Sequence, residues 1–271
     1  LYSIVFGAAA IVGPILIEPL VSTWGYEGLF YIIGASYLLT VVTLMMMNTE
    51  GHKVAATGRT AIQGLLQGFS YLKRQRSISS VILLGVTMGL FGSSFDTLLP
   101  VFADEIYETG LDVGGRLLLG AGIGGLIATT AITLIGKRVR PALYLLVAGL
   151  GLGATQLIFS RIDVISIAVI IAGFIGGFKV ILGTMNATVI QTLVDEQFRG
   201  RVMSINQLTW GASALGGLFM GYMAQRFDAP IAMTLGGLIA ILATILVGQR
   251  LVRSFGIGSK PRGKTDSGDN T

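Results

Sequence analysis

Lys179 stands alone, midway along an otherwise uncharged apolar stretch from Val164 to Val194. If that stretch crosses a bilayer, a charge at its centre costs at least ~2.5–3.5 kcal/mol on insertion scales, and such residues face a cavity or a partner. Three readings are open for it. Lys179 lines a cavity for a small-molecule substrate, forms a structural ion pair, or snorkels toward one end. At helical spacing Gly183 and Asn186 share its face, and a later apolar run offers Asn206 and Trp210 across from it. Lys179, Asn186, Asn206 and Trp210 are therefore the candidate cavity residues.

Asp96 and Glu18 fall in the outer third of two other apolar runs, about 8–10 Å from the nearer surface at ~1.5 Å per residue. A carboxyl group so placed can take up and release a proton, which makes both candidates for proton coupling. For Asp96 a structural role is an equal alternative. For Glu18 the structural reading is preferred, with Pro14 and Pro19 shaping the helix end. Lys137, Arg138 and Arg140 form a basic turn, and Asp195, Glu196, Arg199 and Arg201 form a mixed one. The charges are either a solvated turn or pairs that open and close an inner gate.

Other motifs carry less. Gly258 to Thr265 satisfies GxxxxGK[ST], but that chemistry needs a strand before the loop and a helix after it, and here an apolar span precedes it. Gly120, Gly122 and Gly125 match GxGxxG inside an uncharged run with no acid about twenty residues on, a pattern of helix packing. Asn186-Ala-Thr188 matches a glycosylation acceptor within a span, where it is inaccessible. The single His52 lies in a polar loop, and the chain has no cysteine. With no His-rich set, paired-aspartate site or nucleophile with its base, we expect no metal, no cofactor and no enzymatic activity. Met45, Met46 and Met47 read as lipid-facing filler.

The elements that must position these residues are long apolar segments. Leu1 to about Val21, Gly28–Thr49, Ser77–Phe95, Leu117–Gly136, Pro141–Ser160, Val164–Val194, Val202–Gln225 and Ala229–Gln249 each approach the ~20 residues needed to cross ~30 Å of hydrocarbon. Hydrophobic residues are 52% of the chain and charged ones 12%. Glycine, at 39 of 271, is about twice its ordinary share, as close helix approach in a membrane requires. The expected fold is an all-α polytopic membrane protein with about eight transmembrane helices.

Charge gives the orientation. Loops on one side carry 15 of the 19 basic residues; the other side carries Arg116, Arg161 and Arg226 with Glu27, Asp104, Glu105, Glu108, Asp112, Asp163 and Asp228. The positive-inside rule makes the first side cytoplasmic, with both ends of the chain inside a multi-pass plasma (inner) membrane protein. The net charge of +5 follows from this topology and gives no reason to expect a nucleic-acid partner. No methionine begins the chain and no signal peptide is visible, so it reads as part of a longer protein.

Between spans two and three, TAIQGLLQGFSYLKRQR sets Ile62, Leu65, Leu66, Phe69 and Leu72 at helical spacing before Lys73, Arg74 and Arg76. The spacing predicts an amphipathic helix on the cytoplasmic surface, with an ordinary linker helix as the alternative. There is also a weak internal repeat. Ser3, Gly13-Pro14 and Trp24-Gly25 in the first span parallel Ser204, Gly216-Gly217 and Phe227-Asp228 in the seventh, with eleven residues from glycine to aromatic in both. The expected parts are 1–47, the last two helices of an N-terminal bundle; 48–78, a linker; 79–250, a complete C-terminal six-helix bundle; and 251–271, a disordered cytoplasmic tail.

GPILIEPLVSTWGYEGLFYIIGASYLL, QGLLQGFSYLKRQRSISSVILL, SFDTLLPVFADE, GKRVRP and VDEQFRGRVMSINQLTWGASALGGLFMGYMAQRFDAPIA, in this order and spacing, resemble a major facilitator superfamily exporter over about spans five to twelve. Drug, macrolide and enterobactin exporters are the subgroup it looks most like. The family's antiporter motif is matched at Gly13 and Pro14, but the glycine pair expected just after falls on Ile17 and Glu18. The resemblance implies proton-coupled efflux of a lipophilic drug-like or siderophore-like molecule by alternating access, with protons and the bilayer as partners and a monomer when full length. A non-transporting sensor or scaffold that keeps the same bundle is the alternative.

Overall fold

A computed structural model describes residues 2–46, 61–107, 111–135 and 141–255, with backbone placement alone at 2–11, 14, 15, 17, 18, 26, 61–65, 111, 210 and 251–255. Among the described residues every regular element is a helix. Helix α1 (Tyr2–Met46) holds the first two expected spans and breaks between them at Gly25, whose φ of 67° and ψ of −177° suit a residue without Cβ. It packs along α5 (Leu111–Ile135). Beyond the break its side chains are open, Phe30, Tyr31, Tyr37 and Met45 among them.

The linker helix is α2 (Ala61–Arg74), which ends at Gln75, a residue outside helical geometry (φ −107°, ψ 81°). Leu72 is buried, Leu66 and Phe69 are exposed, and the hydroxyl of Ser79 donates to the Leu72 carbonyl at 2.5 Å across the corner. His52 and the rest of residues 47–60 lie outside the described residues.

The third span, Arg76–Ile106, is longer than its sequence run and is not one regular helix. It comprises α3 (Arg76–Thr87), a π-turn at Met88–Gly92, α4 (Ser94–Val101) and a second π-turn at Phe102–Ile106. Pro100 sits inside α4, where its missing N–H favours the change of register that follows. The remaining helices are α6 (Pro141–Phe159), α7 (Ile165–Leu193), α8 (Glu196–Phe227) and α9 (Ala229–Phe255).

Six described stretches are long and apolar enough to cross a membrane: Glu27–Met46, Arg76–Ile106, Asp112–Ile135, Pro141–Phe159, Ile165–Leu193 and Ala229–Arg250. Two expected spans are not among them: the first, in the part of α1 before Gly25, and the seventh, which occupies α8. Glu196, Arg199, Arg201, Asn206 and Gln207 make its first half polar, yet it packs against α9, α3, α4 and the first π-turn.

Because lipid is as apolar as a side chain, membrane helices gain by close van der Waals approach at small residues. The helix pairs α5–α7, α6–α7 and α6–α9 pack most extensively. A Cβ on Gly124 of α5 would overlap the Gly173 carbonyl of α7, and one on Gly216 of α8 would overlap the Leu90 carbonyl in the first π-turn. Gly120 likewise lies against Val169 and Gly125 against Val180, so two glycines of the GxGxxG-like run, with Gly124, pack against α7. The interior is filled by Phe95, Phe102 and Phe159, whose rings meet edge to face at 5.1 and 5.2 Å.

Asp228 separates α8 from α9 with φ 100° and ψ 161°, and its carboxylate accepts the Ile231 N–H at 3.0 Å as a helix cap. Among the described residues only Gly25 and Asp228 have positive φ. These are the two positions that the weak internal repeat aligns.

Candidate functional site

The helical phase of α7 turns Lys179 toward α4, and α4 carries Asp96 in its first turn. The Lys179 Nζ donates to Asp96 Oδ2 in an ion pair that joins residues 83 apart in sequence. The pair is neither sealed nor fully solvated: the side chains are 31% and 49% exposed respectively. One turn further along α7, Gly183 is exposed with nothing within 4 Å of its Cβ direction, and Thr184 is exposed beside it. On the flank, Gly217 of α8 lies against Thr97, the neighbour of Asp96. The arrangement is a charge-compensated pair on an open face between three helices.

Asn186 and Asn206, the expected cavity residues whose side chains are described besides Lys179, are covered rather than open. Asn186 is buried, and its Nδ2 donates to the Val81 carbonyl of α3 at 3.1 Å. Asn206 is buried one turn before Thr209, whose methyl group and the Asn186 amide both converge on Gly85 of α3. Helix α3 covers the face of α7 at this level, while the face is open around Gly183. The Oδ1 atoms of both asparagines lack a hydrogen-bond partner, as does Oε1 of Gln156. The side chains of Trp210, Glu18 and Pro14 lie outside the described residues. Gly13 has nothing within 4 Å of its Cβ direction.

At the end of the bundle that bears Asp195, Glu196, Arg199 and Arg201, these described members of the expected gate form no ion pair with one another. Asp195 accepts from the Tyr71 hydroxyl at 3.1 Å, and its own N–H donates back to that oxygen at 3.4 Å. The Tyr71 ring stacks on Phe198 at 4.4 Å, and the Arg201 guanidinium lies 5.6 Å from the Phe198 ring centre. Partial burial, with the Asp195 charge adding to it, pushes the Tyr71 hydroxyl above its usual range. Glu196 and Arg199 are exposed. Among the described residues the ion pairs are Asp96–Lys179 and Asp112–Arg116. Lys137, Arg138 and Arg140 lie outside the described residues.

At the opposite end, Tyr107 donates to the Ile162 carbonyl at 2.8 Å and pins the third span to the turn between α6 and α7. Burial, reinforced by the charge of Asp163, raises its hydroxyl to about 12. Among the described residues no group of three or more His, Cys, Asp or Glu gathers to hold a metal.

Sequence reasoning passed over Tyr71, Tyr107 and Gln156. Gln156 left a signal, since it is the one amide in the uncharged run Pro141–Ser160. The tyrosines left none, because a tyrosine in an amphipathic helix, as Tyr71, or at a span end, as Tyr107, is ordinary.

The family model of the Major Facilitator Superfamily matches residues 1–217. The Staphyloferrin A transporter of Staphylococcus aureus (strain NCTC 8325 / PS 47) is 27% identical over 175 residues, covering 64% of this chain and 42% of the relative. The Multidrug efflux pump Tap of Mycolicibacterium fortuitum is 20% identical over 267 residues, 96% of this chain and 64% of the relative. That of Mycobacterium bovis (strain BCG / Pasteur 1173P2) is 23% identical over 255 residues, 92% and 60%. The chain thus spans 42% to 64% of the length of these curated relatives.

Proposed function

The chain belongs to the Major Facilitator Superfamily, and from that membership we propose that it supplies the C-terminal bundle of a proton-coupled exporter of small lipophilic, drug-like or siderophore-like molecules. The observation that carries the reading is the half-open Asp96–Lys179 pair joining α4 to α7. Its relatives, named for staphyloferrin A transport and for multidrug efflux, support a small-molecule cargo.

The chemistry of the pair suits coupling. With Asp96 ionised, the two side chains carry no net charge together, and the site tolerates closure against apolar surface. A proton on Asp96 leaves the Lys179 ammonium without its counter-charge. That state favours access to water or an anionic group on the cargo, since a lone charge in lipid costs at least ~2.5–3.5 kcal/mol. Proton loading therefore biases which opening the bundles prefer, the linkage that alternating access needs.

In this reading the basic loops face the cytoplasm, and the Tyr71–Asp195 contact ties the linker helix to the start of α8 there. Lys179 serves anionic groups of the cargo, and Asp96 carries the proton. The protein acts as a monomer in the plasma (inner) membrane.

The test uses the intact carrier in proteoliposomes under an imposed pH gradient. Gradient-driven movement of a lipophilic compound is expected, with pH dependence lost in Asp96→Asn and handling of anionic compounds weakened most in Lys179→Ala. No movement of any such compound would overturn the exporter reading. An unchanged pH dependence in Asp96→Asn would remove Asp96 from the coupling path.

A further inference from the structure

The third span changes register just before Asp96. The π-turn Met88–Gly92 ends at Ser93 (φ −87°, ψ 9°), and α4 begins at Ser94. In an unbroken α-helix the Asp96 N–H would donate to the Gly92 carbonyl. Here it donates to Ser93 at 3.2 Å, and the Thr97 N–H reaches the same oxygen at 3.5 Å. The Gly92 carbonyl accepts instead from Nε2 of Gln156, at 2.7 Å, from across the interface with α6.

Gln156 is fully buried, and Gly92 is closed in by Leu152 and Met88. A backbone carbonyl left bare in such surroundings is strongly unfavourable, because neither water nor lipid answers it. The Gln156 amide thus satisfies a carbonyl that the break would otherwise strand. The Ser94 hydroxyl attends to the neighbouring Phe91 carbonyl.

We infer that Gln156 is a positioning residue for the Asp96–Lys179 pair: by holding the Gly92 carbonyl, it keeps the register break that points Asp96 at Lys179. A π-turn contains one residue more than an α-turn. Relaxing it to a regular ladder would rotate all that follows by about 100° around the helix axis, carrying Asp96 off the α7 side. The functional half of this inference rests on the coupling role proposed above; the geometric half stands without it.

The experiment places Asp96→Cys and Lys179→Cys together in the intact carrier and measures their bridging by a short bifunctional thiol reagent, so that no ion pair helps to hold them. Adding Gln156→Met, similar in shape but without a donor, is expected to lower the bridging yield about fivefold or more, as a turned helix requires. Gln156→Glu supplies a check if the Met variant does not fold. Its protonated acid can donate to the Gly92 carbonyl and its carboxylate cannot, so bridging relative to the parent should be kept in acid buffer and fall in alkaline buffer.

Parental bridging in Gln156→Met, or a pH-independent ratio in Gln156→Glu, overturns the inference. In carriers with Asp96 and Lys179 intact, Gln156→Met should flatten the pH profile of transport as Asp96→Asn does. A flat Asp96→Asn profile with a parental Gln156→Met profile also overturns it. An unaltered Asp96→Asn profile sinks the coupling reading instead, and bridging alone then decides the role of Gln156.

Discussion

Breaking the Asp96–Lys179 pair one partner at a time should destabilise the protein, and removing both partners should largely restore it. Two unit charges ~4 Å apart interact by ~1 kcal/mol in water and ~4 kcal/mol at an effective dielectric of 20. With the side chains 31% and 49% exposed, this pair sits between those limits. Discounting for solvent screening leaves about 1–2 kcal/mol of coupling. Asp96→Asn and Lys179→Met should each lower the melting midpoint of the purified protein by roughly 3–6 °C, at ~2–4 °C per kcal/mol for a chain of this size. The double variant should come within ~2 °C of the parent, because no charge is left unanswered. Thermal unfolding in nanodiscs at low and high salt reads all four species, and the coupling should shrink only modestly with salt. Additive single effects, with the double variant worst of all, would show that the two charges do not sense each other and would refute the reasoning.

Three further outcomes follow from packing and backbone geometry. Gly124→Val should cost about 1–3 kcal/mol by forcing α5 off α7, whereas Gly115→Val, with nothing within 4 Å of its Cβ direction, should be near neutral; melting midpoints decide. Tyr107→Phe should cost about 0.5–1.5 kcal/mol through the lost bond to Ile162. Because the Tyr107 hydroxyl is raised from 10.0 to about 12, the folded state holds its proton where the unfolded chain has lost it. Stability from this group is therefore full below pH 10 and lost as pH rises toward 12, and an alkaline melt of Tyr107→Phe should lack that loss. Asp228→Ala gives up the helix cap but keeps the strained backbone, while Asp228→Gly gives up the cap and relieves the strain. Gly should therefore be the better replacement by about 1 kcal/mol, and equal midpoints would argue against strain at φ 100°.

The spans were legible because apolar length and charge placement report directly on lipid. The boundary between the first two fell where Gly25 breaks α1, and the glycines of α5 already read as a packing stripe. The ion pair was not legible as a pair. Lys179 and Asp96 were each conspicuous, but which helices face one another is a tertiary fact, and the π-turn before Asp96 shifts the phase that a helical wheel assumes. Asn186 shows the same limit. Its spacing of seven residues from Lys179 does put it near the same side of α7, yet the crossing of α3 covers that side at one level and leaves it open at another. Tyr71 was hidden because its partners, Asp195 and Phe198, lie more than a hundred residues away, and Asp195 read as a member of a gate.

The matched corners at Gly25 and Asp228 bear on descent. The two helix pairs share few residues, yet each turns through a positive φ with an extended ψ, 67° and −177° in one, 100° and 161° in the other. A duplicated ancestor would bequeath the corner before anything else, because helix faces drift with their neighbours while a residue at positive φ with extended ψ admits few side chains. Glycine meets that requirement by lacking a side chain, and aspartate meets it by bonding the next helix start. The same turn is thus met by two chemistries, and exchanging the residues between the corners should preserve the path of the chain at both.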